Sequence, residues 1–174
     1  TELVEAAQEM PARAGAGAGA GAAFGTLVHR LLEVVDWENP DMLERTAEAE
    51  GAGAGPGRSM VREAVEKVRQ TLGSALVKRV LASDGYDKEV PFAFKDGETV
   101  MEGVIDVVFR EKGGVCIIDF KTDRIEEKDM AAGAERYRKQ MEVYAAAVAS
   151  TLGARPKEAI LFFLHPMKPF NILK

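Results

Sequence analysis

The sequence holds a single cysteine, Cys116, among 174 residues. One cysteine can form no internal disulfide and cannot supply a cysteine-rich zinc or iron–sulfur site. Its neighbours, Val115, Ile117 and Ile118, read it as a buried core thiol. A chain without disulfides suits a reducing compartment, so the expected setting is cytoplasmic. No run of 18 apolar residues occurs, so no transmembrane helix is expected. The first residues are acidic and lack the apolar stretch of a signal peptide, so none is expected there. Excess positive charge is missing too. The net charge is −5, which argues against a protein that coats nucleic acid. No G-x-x-x-x-G-K-[ST] loop is found, which leaves no place for a nucleotide-driven motor.

What remains is a globular balance, 47% hydrophobic and 29% charged, long enough for one domain with a real core. Charge is uneven. Residues 1–60 carry ten acidic and four basic side chains, whereas residues 155–174 carry one and four. Two Gly/Ala tracts, Ala14–Ala23 and Gly51–Gly57, lack side chains to pack and read as flexible linkers. The expected organisation is a flexible segment over 1–23 and one domain over 24–174.

Apolar spacing predicts helices over Phe24–Val35, with Thr26 as a candidate N-cap, over Asp41–Glu50, and over Ser59–Ala82, bent at Gly73. Three strands at hairpin spacing follow: Lys88–Lys95, Thr99–Arg110 and Val115–Thr122, turning at Asp96-Gly97 and at Lys112-Gly113-Gly114. A helix over Met130–Leu152, closed by Gly153, leads to a strand at Ala159–Leu164. The helical crossover makes that strand parallel to the third. The expected fold is α/β of the α+β mixed-sheet kind: helix, three-strand meander, helix, strand, with helices flanking the sheet.

Two aspartates lie inside these apolar strands. Asp106 sits in Gly103–Phe109, and Asp119 sits in Val115–Lys121. A buried carboxylate without a partner costs several kcal/mol or more, on the order of a whole core substitution. The usual compensation is a cation partner or a metal ion. Lys121 lies two residues past Asp119 and leaves the same strand face. Two carboxylates beside a lysine suit a site that holds Mg²⁺ and positions a water against a phosphodiester. The structural alternative is that a buried arginine or backbone amides satisfy each carboxylate.

This order of elements, with Asp106 and Asp119-Phe120-Lys121, resembles the PD-(D/E)XK nuclease superfamily, whose core is restriction-endonuclease-like. More narrowly it resembles the nuclease domain of AddA/RecB-type helicase–nucleases. Gly25-Thr26-Leu27-Val28-His29 is similar to that branch's helical histidine motif. Glu89-Val90-Pro91-Phe92 is similar to its acidic first strand, Asp119 to Asp123 to its extended core motif, and Tyr137, Gln140 and Tyr144 to its closing helical motif. The resemblance implies that His29, Asp106, Asp119 and the backbone carbonyl of Phe120 hold Mg²⁺, or Mn²⁺ in its place. It further implies catalytic roles for Asp106, Asp119, Lys121, Glu89, Gln140 and Tyr144. Lys121 would orient or deprotonate the attacking water and offset phosphate charge. By itself, a histidine on an apolar helix reads as a satisfied core residue, and His165, which has no motif around it, reads as structural or surface. Arg136, Arg138 and Lys139 read as solvated helix charges, with phosphate contact as the alternative.

The implied function is an exonuclease module excised from a longer helicase–nuclease of double-strand-break repair and recombination. Its implied partners are DNA, as single-stranded ends delivered by a motor, and an AddB-like partner protein; no membrane is involved. The iron–sulfur relatives need a cysteine cluster that this chain lacks. A different class of reading is a catalytically silent domain of the same fold that threads DNA or serves in subunit docking. Against it stands the complete Asp106, Asp119 and Lys121 set. A small-molecule or nucleotide phosphohydrolase using the same metal site is a further rival, weakened by the lack of a Gly-rich phosphate loop.

Overall fold

Alternation along the central strand explains the layering. In the computed structural model, which describes residues 19–54 and 57–173, Cys116, Ile118 and Phe120 face one apolar cluster. Ile117, between them, faces another. A strand covered on both sides needs helices on both sides. Four lie on the first face: α1 (Ala20–Val34), α2 (Leu43–Ala54), α3 (Arg58–Leu72) and α4 (Ala75–Leu81). Two lie on the second: α5 (Met130–Glu135) and α6 (Arg138–Leu152).

The sheet between them has five strands in chain order: β1 (Tyr86–Asp96), β2 (Thr99–Glu111), β3 (Gly114–Lys121), β4 (Glu158–Phe163) and β5 (Lys168–Asn171). β1, β2 and β3 form the expected antiparallel meander, and β3 pairs with β4 in parallel. The left-handed glycines Gly97, Gly113 and Gly153 stand where the turn and cap signals put them. β5 is an addition, antiparallel to β4. Its Lys-Pro-Phe-Asn sequence is short and has no alternation to reveal it.

Several local expectations are corrected. α1 begins at Ala20, inside the first Gly/Ala tract, and α2 runs to Ala54, inside the second. Alanine favours helix, and packing of the apolar stripe overrides the glycines. The rest of the first tract lies outside the described residues. Thr26 is not a cap: it sits within α1, and its hydroxyl donates to the Ala22 carbonyl at 3.0 Å. The helix expected to start at Ser59 starts one residue earlier, at Arg58, with Gly57 at its N-cap. The long helix expected over Ser59–Ala82 is two helices, because the Ser74 hydroxyl accepts from the Val77 amide and starts α4 anew. The helix expected over Met130–Leu152 breaks between Glu135 and Arg138, with a 3-10 bond from the Tyr137 amide to the Ala134 carbonyl.

An ion cluster ties α4 to the far end of the sheet. Arg79 donates in forked fashion to Glu111 at 2.8 and 2.8 Å, and to Glu158 at 3.0 and 2.9 Å. These bonds hold the Glu111 carboxyl down at about 2.

Candidate active site

The sheet forks at the level of the two aspartates. β2 pairs with β3 only from Val107–Ile118 to Glu111–Gly114. One step further on, Asp106 and Asp119 stand at the point where the strands part. On the other side of β2, Lys88–Val107 and Val90–Ile105 are paired, and Glu89 opposite Asp106 is skipped. Glu89 has φ 51°, a left-handed conformation that costs a non-glycine residue about 1–3 kcal/mol. The hairpin also changes faces here. Tyr86, Val107 and Phe109 pack on the α1 side, whereas Phe92 and Ile105 pack on the α6 side. A strained residue at the fork of a sheet is a feature that functional sites collect.

Both aspartates are buried, as is Lys121. Asp106 Oδ2 accepts from the Phe120 amide at 2.7 Å, closing the ladder where β2 leaves β3. The same oxygen lies 3.5 Å from His29 Nδ1. His29 is carried there by α1, whose carboxyl end is fastened at two carbonyls. Lys88 donates to Leu32 at 3.1 Å and to Val35 at 2.7 Å, and Trp37 Nε1 donates to Leu32 at 2.9 Å. His29, Glu89 and Asp106 line one narrow crevice with Trp37, Lys88 and Phe120.

Asp119 and Lys121 face α6. Lys121 Nζ lies 2.5 Å from Asp119 Oδ2, with side-chain exposures of 6% and 4%. Gln140 Oε1 accepts from Lys121 at 2.9 Å. The Gln140 amide donates to the Tyr144 hydroxyl at 2.8 Å and, at 3.4 Å, to Asp119 Oδ1. Tyr144 therefore stands one residue behind Lys121, packed edge-on against Phe92. Burial pushes the Asp119 carboxyl up to about 6. The Lys121 ammonium pulls it the other way, and Asp106 adds to the rise.

Two residues of the quoted motifs that were given no role of their own join this network. The Tyr137 ring lies under the Lys121 ammonium, 4.1 Å from Nζ to the ring centroid. The Tyr137 hydroxyl donates to Asp123 Oδ2 at 2.6 Å, and burial first, then Asp123, raises its pKa, so it stays a donor. Tyr137 falls in the break between α5 and α6. No proline marks that break, so helical spacing alone misses it. Among the other candidates, His165 is exposed. Arg138 is engaged by Glu135 at 2.8 Å and by the Ile172 carbonyl at 3.3 Å, which is a structural use. Arg136 is exposed, 3.8 Å from Asp123.

The donors suit a hard divalent cation. His29 Nε2 is buried without a hydrogen-bond partner, a state that a buried polar nitrogen avoids unless something else engages it. Asp119 is held in an environment that resists its charge, and a cation would relieve this. Carboxylate oxygens with one imidazole fit Mg²⁺ or Mn²⁺. Among the described residues no three such side chains are already closed into a cage. Asp119 is turned onto Lys121 and Asp106 onto the Phe120 amide.

A family model described as the PD-(D/E)XK nuclease superfamily matches residues 4–171. An ATP-dependent helicase/nuclease subunit from Bacillus cereus strain AH820 is 35% identical over 165 residues, covering 80% of this chain and 13% of that protein. The protein of the same name from Bacillus mycoides strain KBAB4 is 33% identical over 173 residues, covering 85% of this chain and 14% of its own length. The chain thus spans about one-seventh of these curated relatives. A solved structure, protein VC1899 from Vibrio cholerae, aligns over 96% of this chain and 47% of its own, with a TM-score of 0.36 and 16% identity.

Proposed function

The chain belongs to the PD-(D/E)XK nuclease superfamily, and we propose that it is a divalent-metal-dependent deoxyribonuclease domain that hydrolyses phosphodiesters by in-line attack of water. The observation that carries this reading is the buried set at the sheet fork: Asp106, Asp119 and an unpartnered His29 Nε2, with Lys121 beside them. His29, Asp106, Asp119 and the Phe120 carbonyl would hold Mg²⁺ or Mn²⁺. Such an ion, when bound, supplies Lewis-acid polarisation of a phosphoryl oxygen.

The chain's own groups do the rest. Lys121 orients the attacking water and offsets charge building on the phosphate. Gln140 fixes where that ammonium sits, and Tyr144 fixes Gln140. The depth of Asp119 and Lys121 keeps bulk water from screening them, so each interaction counts for more than on the surface. Glu89, which lines the same crevice, would help through a water. The products are a 5′-phosphate and a 3′-hydroxyl.

We further propose that the domain acts as the exonuclease module of a longer helicase–nuclease in break repair and recombination, fed single strands by a motor and paired with an AddB-like protein. The test is cleavage of end-labelled single-stranded and duplex DNA with Mg²⁺, by this chain and by Asp119→Ala. Cleavage that needs both Mg²⁺ and Asp119 supports the reading. DNA binding without cleavage under any divalent cation supports a silent threading domain instead.

A further inference from the structure

The Lys121 ammonium has three N–H donors and three engagements: Asp119 at 2.5 Å, Gln140 at 2.9 Å and the Tyr137 ring face at 4.1 Å. Asp119, Gln140 and Tyr137 all fall in the motifs quoted above, but the resemblance gives a role to Asp119 and Gln140 and none to Tyr137, whose ring is nonetheless held on two sides. Its hydroxyl is latched to Asp123 at 2.6 Å, and Asp123 lies two residues past Lys121, which ends β3. The helical break between α5 and α6 puts Tyr137 at the start of α6, three residues before Gln140, so one short segment carries two of the ammonium's three contacts.

We propose that Tyr137, latched by Asp123, is a positioning residue that fixes the Lys121 ammonium for attack on the phosphodiester. This rests on the nuclease reading above. A lysine side chain has four rotatable bonds and loses much freedom on ordering. Asp119 alone cannot hold the ammonium for turnover, because Asp119 is also offered to the cation. When that carboxylate turns away, Gln140 and the Tyr137 ring are what remain to hold Nζ in place. A cation over a desolvated aromatic face is strong enough to matter. The ring contact also yields readily to a phosphate, because the aromatic face carries no formal charge that competes for the ammonium.

The test pairs kinetics with a signal that does not depend on turnover. Tyr137→Leu removes ring and latch, and kcat should fall about tenfold or more with KM within about twofold of wild type. Tyr137→Phe keeps the ring and should restore most of kcat. Asp123→Ala should fall with Tyr137→Phe, by a few-fold each, and the double variant should be no worse than either single one, because the two groups act as one latch. In NMR of the metal-free protein, the Lys121 ε-methylene, assigned by its loss in Lys121→Arg, should resonate upfield of the exposed lysines. That displacement should vanish in Tyr137→Leu and persist in Tyr137→Phe. Wild-type kcat in both Tyr137→Leu and Asp123→Ala, or a loss confined to KM, overturns the proposal. An ordinary Lys121 resonance in the wild type overturns it whatever the turnover. If wild type cleaves nothing, the nuclease reading fails, and the Lys121 resonance still decides whether the ring holds the ammonium. Should Tyr137→Leu fail to fold, Tyr137→Phe and Asp123→Ala decide: equal small losses that do not add support the latch, and wild-type rates sink it.

Discussion

Replacing Lys121 with alanine separates the two roles that its ammonium plays. In the folded domain Nζ and the Asp119 carboxylate form a pair almost closed to solvent. Breaking such a pair by removing one partner typically costs about 3–5 kcal/mol, because the other charge stays buried. Asp119 has one way out. Its carboxyl already sits at about 6, and losing Lys121 removes the group that pulls it down, so it moves higher still and takes up a proton near neutral pH. Protonation caps the penalty, so the metal-free variant should lose about 2–4 kcal/mol at pH 7. Gln140 Oε1 also loses its donor, a smaller cost of about 1 kcal/mol that falls within this range. Turnover should fall by about 10²-fold or more, because the group that acts on water and phosphate is gone. Urea unfolding without metal, then single-turnover cleavage with Mg²⁺, measures the two separately. A Lys121→Met control fills the space without the charge. Near wild-type turnover in Lys121→Ala would refute the catalytic role. Unchanged metal-free stability would refute the buried pair.

Further outcomes follow from the same structure. Asp119 has a folded pKa of about 6 against an ordinary 3.8. The native state therefore binds the extra proton, and this contribution to stability is complete below about pH 4 and lost as pH rises through 6, by about 2–3 kcal/mol. Denaturation of metal-free protein between pH 4 and 8 should show the decline, and a saturating divalent cation should flatten it. A Cβ added at Gly103 would come within 2.7 Å of the Phe92 ring, whereas one at Gly133 would meet only the flexible tip of Ile125 at 2.6 Å. Gly103→Ala should cost about 1–3 kcal/mol, and Gly133→Ala, within a helix, should be near neutral, as thermal unfolding would show. DNA binding by the chain alone should be weak at ~150 mM salt and fall steeply with more salt, because affinity comes from phosphates met by Lys and Arg. Arg124 and Arg138 already face Glu63 and Glu135. Nanomolar, salt-insensitive binding to a labelled single strand with Ca²⁺ would contradict this.

Much of the fold was legible because its signals were local. The meander follows from β-branched runs separated by Asp-Gly and Gly-Gly turns, and the parallel β4 follows from the length of its crossover. Asp106 and Asp119 stood out as lone charges in apolar strands, which is a strong signal whatever their use. The rest depended on contacts that no local pattern encodes. The break at Arg136–Tyr137 has no proline, and a spacing argument runs straight through it. The left-handed turn at Glu89 falls on a glutamate inside a strand, where propensity gives no warning. His29 looked like a core histidine by spacing, and only the neighbouring motif hinted otherwise. Its place beside Asp106 arises because Lys88, on β1, and Trp37, just after α1 in the chain, fasten the end of that helix.

The most direct test of the central claim is anomalous diffraction from crystals of the chain soaked in Mn²⁺. The expected result is a peak enclosed by His29 Nε2, Asp106, Asp119 and the Phe120 carbonyl, with ligand distances of ~2.0–2.3 Å, and Lys121 released from Asp119. No peak at the sheet fork in crystals of protein that cleaves DNA, or Asp106 and Asp119 carboxylates more than about 8 Å apart, beyond the span of one shared ion, would contradict it.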